Sequence, residues 1–106
     1  MAASLKKASA LIGSTRTLVL TATTGIQTII IGGTISNIDA TEAYHGVTVE
    51  VQALDSNYTV LVKNAPVSVG GSLILPKFVL GPGEKIYMTA DAASFIQAYV
   101  SYVEKT

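Results

Sequence analysis

The run Val47, Thr48, Val49, Glu50, Val51 alternates apolar and polar side chains, and the same beat returns along most of the chain. A period of two puts successive side chains on opposite faces of an extended strand, whereas an amphipathic helix needs a period near 3.6. No long stretch carries the helical period. The chain is therefore expected to be a series of strands, each with one face turned to a core.

Individual segments refine this expectation. "TLVLT" at Thr17–Thr21 reads as a strand. "TIIIGGTISNI", residues 28–38, holds three successive isoleucines, whose branching at Cβ favours extended backbone. Gly32 and Gly33 in its middle predict a bulge or sharp bend, one that would let the strand serve both sheets of a sandwich. In "GVTVEVQAL", Val47, Val49, Val51 and Ala53 share the inward face. "NYTVLVKN" is expected to turn Tyr58, Val60 and Val62 inward, as the second arm of a hairpin closed by Asp55, Ser56 and Asn57, whose short side chains bond local backbone.

Further on, Pro66 is expected to interrupt the ladder, Gly70-Gly71 to form a turn, Pro76 to separate two short strands, and Gly81-Pro82-Gly83 to lead into "EKIYMTA". The alanines of "ADAAS" suit a helical turn. The last strand sets Phe95, Gln97 and Tyr99 against Ile96, Ala98 and Val100. About eight short strands separated by turn residues predict an all-β fold, a single antiparallel β-sandwich of the jelly-roll or immunoglobulin-like kind. At 106 residues the chain suits one domain. The sandwich is expected over residues 16–106, after an arm over residues 1–15 that orders only against a partner.

Composition narrows the classes of function. Charged residues make up 13% of the chain, about half the usual share of a soluble domain. Seven basic residues balance seven acidic ones, so no net field draws the chain to nucleic acid or an anionic membrane. A weakly charged, apolar surface instead suits self-assembly or docking on a larger partner. Without cysteine there is no disulfide, thiolate nucleophile or thiolate metal site. "MAASLKKASALIG" lacks the apolar core of a signal peptide, and no apolar run approaches the ~20 residues of a membrane-spanning helix. The expectation is a product of the cytoplasm with no membrane partner.

Reactive groups are sparse. His45, in "DATEAYHG" near Asp39 and Glu42, has the chemistry of a metal ligand or a carboxylate-oriented general base. A lone histidine with no second nitrogen or thiolate makes a poor zinc site, so the preferred reading is an exposed loop histidine. Asp39 and Glu42 offer oxygen ligands for calcium, but the D-x-D-x-D-G pattern is absent and a solvated loop is simpler. Asp91 reads as a turn or cap residue. "GGT" and "VGGS" lack the order of a phosphate-binding loop, and "NYT" matches a glycosylation acceptor without a secretion signal. The five tyrosines have no shared face in the sequence, and the basic residues are scattered. No catalytic, metal or cofactor-binding residue is assigned, and the chain reads as a non-enzyme.

The segment over residues 28–104 carries "SNID", "VTVEV", "VKNAPV", "VLGPGEKI", "ADAAS" and a closing "VSYVE". In these it resembles small β-sandwich virion proteins of tailed bacteriophages. The resemblance implies a structural protein of the virion, first of all a capsid decoration or cement protein bound to the assembled shell. Its partners would be the major capsid protein or other virion proteins, and a homo-oligomer, a trimer for choice, is expected. A neck or tail component, or a host-surface or carbohydrate-binding module, is the alternative. The last of these needs exposed loop aromatics, for which Tyr44 is the candidate.

Overall fold

The computed structural model describes residues 3–39 and 44–105, and among them it contains strands and turns but no helix. The strands are β1 (Ala3–Ile12), β2 (Thr17–Thr21), β3 (Gln27–Asn37), β4 (Tyr44–Gln52), β5 (Tyr58–Ser68), β6 (Ser72–Leu75), β7 (Phe78–Leu80), β8 (Lys85–Ala90) and β9 (Ile96–Lys105). They form two antiparallel sheets packed face to face. In the β1 sheet the order is β1-β9-β3-β6, with β7 also on β3; in the β2 sheet it is β2-β8-β4-β5. If β6 and β7 are counted as one strand broken at Pro76, the two interleaved four-strand sheets have the connectivity of a jelly roll, which decides between the two sandwich types expected.

Strict alternation builds the core. On β9, Ile96, Ala98 and Val100 point inward and Gln97 and Tyr99 outward. On β4, Val47 and Val49 pair with Ala90 and Met88 of β8 and are fully buried. Ile30 and Ile35 of β3 cover them from the opposite sheet, with no exposed surface of their own. Each such side chain contributes about 1.5–3 kcal/mol by leaving water.

Several sequence expectations meet specific exceptions. The bulge predicted near Gly32-Gly33 is present, as a register shift between Ile30 and Gly32. It does not carry β3 into the second sheet; it divides one strand between two neighbours, β7 over Thr28, Ile29 and Ile30, and β6 from Gly33 onward. Gly33 is required there, because a Cβ would sit 2.8 Å from the Tyr99 carbonyl oxygen. Tyr58 and Val60 face outward, not inward. Val49 pairs with Val62 but Glu50 with Val60, so Leu61 is an extra residue that flips the strand's phase. Pro66 does not end the ladder either. It pairs with Gly46 inside β5, which tolerates a proline because it is an edge strand. The alanines of 91–95 form a turn, with Ser94 at a φ of 76°, instead of a helical turn. Residues 3–12, expected as part of an arm, are the strand β1, paired with β9 along its whole length.

One buried polar atom is left over. Thr28 Oγ1 has no hydrogen-bond partner among the described residues, although the residue is fully buried beside Glu104. An unsatisfied buried hydroxyl costs stability, and an isosteric methyl does not. Thr28→Val should raise stability by about 1 kcal/mol, roughly 4–8 °C in Tm for a domain of this size. Thermal denaturation followed by circular dichroism measures it, and a fall in Tm would mean the hydroxyl is bonded.

Candidate functional site

His45 is not the exposed loop residue that its neighbours suggested. It is the second residue of β4, in phase with Val47 and Val49, so its ring turns inward and is about 5% exposed. There its Nε2 lies 2.8 Å from Asp39 Oδ2 and its Nδ1 2.6 Å from Asp91 Oδ1. Phe95 stacks on it, with ring centroids 4.7 Å apart and planes 9° from parallel. Asp39 follows β3 and its N–H donates to Asn37 Oδ1, while Asp91 follows β8 and its N–H donates to the Gly46 carbonyl. One imidazole on β4 therefore ties together the β3–β4 and β8–β9 connections at one end of the sandwich.

A neutral imidazole has one N–H and one lone pair, and a lone pair against a carboxylate is repelled. With carboxylates on both nitrogens the doubly protonated ring is favoured. Accordingly the hydrogen bond to Asp39, then that to Asp91, holds His45 above its usual value of 6.5 in spite of burial. Burial pushes Asp91 upward, but the His45 hydrogen bond, the Gly46 backbone and the imidazolium charge together outweigh it and leave Asp91 below 3.8. Both ring nitrogens are occupied, which leaves no lone pair directed at a substrate. The cluster works as a charged crosslink. Glu42, weighed with Asp39 as a calcium ligand, lies outside the described residues, and no metal-ligating group of three or more is found among those described.

The two outer faces differ in chemistry. On the β2 sheet, Arg16 donates from Nε to Glu50 Oε1 at 3.0 Å and from Nη2 to Oε2 at 3.2 Å. Its guanidinium lies 3.8 Å from the centre of the Tyr58 ring, which meets Tyr87 edge-on. This lid covers Glu50 and lowers its pKa through the Arg16 bond. Glu50 lies on the face of β4 opposite Val47 and Val49 and is nevertheless buried, because it sits across from Tyr87 and Val60 on that face.

Among the described residues, no such lid covers the outer face of the β1 sheet. Leu5, Val103, Ile29 and Val79 sit side by side across four strands, and Ser9, Tyr99, Thr34 and Ile74 form a second row. Ile74 is 77% and Leu5 74% exposed, with Val79, Tyr99 and Ile31 also open. Two shallow depressions, of about 450 and 350 Å³, lie on this face on either side of Tyr99. Tyr44, the loop aromatic of the sequence reading, is the exposed first residue of β4.

No family model matches the chain, and no curated protein does. A solved structure described as "Bacillus endospore appendages form a novel family of disulfide-linked pili" is similar to it, with a TM-score of 0.60 over 99% of this chain and 87% of that one. At 13% identity the likeness is one of fold. The disulfide chemistry in that description has no counterpart here, since these 106 residues contain no cysteine.

The charged cluster predicts a pH signature. A raised histidine contributes stability that is complete below its unfolded value of 6.5 and is lost as pH rises through the folded one. A lowered Asp91 contributes above 3.8 and loses its share as pH falls through its folded value, a smaller share because its side chain is half exposed. The Tm difference between wild type and His45→Gln should therefore be greatest between pH 3.8 and 6.5 and shrink above that window. Melting curves across a pH series check this, and a difference independent of pH would rule out the charged crosslink.

Proposed function

We propose that this chain is a non-enzymatic structural subunit of an ordered protein assembly, and that it makes its contacts through the outer face of the β1 sheet. That face carries the reading: Leu5, Ile74, Val79 and Tyr99 stand open to solvent on one side of a single sheet, and exposed apolar side chains grouped on one face are what a subunit buries against a neighbour. The weak charge of the chain supports the same role. The fold likeness to a pilus structure supports it at the level of class, because that fold is built into an extended assembly there.

In the form implied by the sequence resemblance, the assembly is the virion of a tailed bacteriophage and the chain decorates its shell, held on the major capsid protein. A place in the neck or tail is the second form. Copy number separates them. Quantitative mass spectrometry of purified particles should give between one copy per shell subunit and one per few; a far smaller share assigns the neck or tail, and absence removes the virion reading.

The contact face has its own test. Ile74→Lys combined with Val79→Lys replaces two apolar side chains by charges on the exposed surface, where folding tolerates them. Incorporation into particles should fall at least tenfold, as expected from the loss of about 1.5–3 kcal/mol per buried apolar side chain. The far-ultraviolet spectrum and Tm should stay unchanged. Full incorporation of the double variant would sink the assignment of this face.

A further inference from the structure

Each sheet of a sandwich ends in strands whose outer backbone groups are unpaired, and folded chains normally blunt such edges. Three of the four edges here are blunted. β5 carries register shifts around Leu61 and Asn64 and contains Pro66. β2 is five residues long with a shift at Val19. The far edge of the β1 sheet is divided into β6 and β7 at Pro76 and Lys77. β1 is the exception: ten residues without proline or glycine, in unbroken register with β9 from Ala3 to Ile12. Lysines on an edge ordinarily deter pairing, but both here are turned back onto their own sheet. Lys6 Nζ is 2.6 Å from Glu104 Oε1, and Lys7 lies over the Tyr99 ring at 5.9 Å.

Backbone direction along β1 follows from its neighbour. Ile38 N–H donates to the Phe95 carbonyl, so Phe95 turns its backbone groups to the β3 side and Ile96 turns them to β1. Alternation along β9 then commits Ser4, Lys6, Ala8, Ala10 and Ile12 to the existing ladder. Leu5, Lys7, Ser9 and Leu11 present their N–H and C=O groups at the free edge.

We infer that this edge pairs with the same edge of a second copy, β1 against β1 in antiparallel sense, to give a two-fold dimer with one continuous sheet. The proposal rests on the assembly reading above and names its first contact. The occupant follows from the inventory of edges: the other three are unsuited to a long partner, so the complementary open edge is another β1, and a like-with-like contact closes as a two-fold dimer. The register follows from charge and size. A two-fold axis at Lys7 or at Lys6 places like charges directly opposite. An axis at Ala8 sets Leu5 against Leu11 of the other copy and Lys7 against Ser9. It also brings the two Ala8 residues together as a non-hydrogen-bonded pair, where the smallest side chains fit. In that register the apolar row of Leu5, Val103, Ile29 and Val79 runs on into Leu11 of the second copy. The oligomer is then two-fold, where the sequence resemblance favoured three-fold.

Because the sequence contains no cysteine, one introduced thiol reports the register without background. In a non-hydrogen-bonded pair the Cα atoms stand about 4.5 Å apart, inside the range a disulfide spans. Ala8→Cys should therefore form a crosslinked dimer on mild oxidation, at least ten times more completely than Ala10→Cys, which faces Lys6 of the other copy. Sedimentation velocity over a concentration series should show the unmodified full chain as a dimer. Ser9→Pro should be a monomer with an unchanged far-ultraviolet spectrum and a Tm that no longer depends on concentration, since it removes an N–H that the β9 ladder does not use. An unmodified chain that stays monomeric at every concentration, a trimer, or equal crosslinking at 8 and 10 would overturn the pairing. These readouts need no particle. A monomer whose Ile74→Lys, Val79→Lys variant still drops out of particles rejects the edge contact alone, and a dimer absent from particles rejects the virion reading alone.

Discussion

The contact between the two inner faces holds the molecule together, because almost every connection crosses from one sheet to the other. β1, β3 and β9 lie in one sheet, while β2, β4 and β8 alternate with them along the chain in the other. Neither sheet is a continuous piece of sequence, so neither can form its full hydrogen-bond ladder without the other being in place. Ile30 and Ile35 on one side, with Val49, Ile86 and Met88 on the other, supply the dry layer that makes this interdependence favourable.

Polar groups close the ends of that layer where apolar ones run out. At one end His45 bridges Asp39 and Asp91 under Phe95. At the other, Glu104 receives the Thr23 hydroxyl at 2.6 Å and the Lys6 ammonium at 2.6 Å, and these two partners hold its pKa down. Asn37 donates to the Val67 carbonyl at 2.8 Å and ties β3 to an edge strand of the opposite sheet. Each closure joins residues remote in sequence, and each satisfies polar atoms that burial would otherwise leave costly.

Much of the sandwich was legible in the sequence because alternation is a local signal: the facing of β4 and β9, the turns at Asp55-Ser56-Asn57 and Gly70-Gly71, and the break at Pro76 could all be read there. What failed depends on a single residue's phase. Leu61 reverses the facing of Tyr58 and Val60, and nothing in "NYTVLVKN" marks it as extra, since the bulge exists only relative to β4. The environment of His45 was hidden for a similar reason. Asp91 is forty-six positions away, and only the pairing of β4 with β8 brings it within reach. The two rows on the outer face of the β1 sheet were equally invisible, since each combines residues from four strands with no fixed spacing in the sequence.

The pairing of the first strand with the last has a mechanical meaning. Ala3 stands across from Lys105, so both ends of the described sheet leave from one corner of the molecule. A tension applied between those two points would load the β1–β9 hydrogen bonds one after another, as a zip opens, and would meet little resistance. Tension carried across the broad face of the sheet would load whole rows of bonds together. The domain is therefore soft to a pull between its ends and stiff to a load spread over its surface.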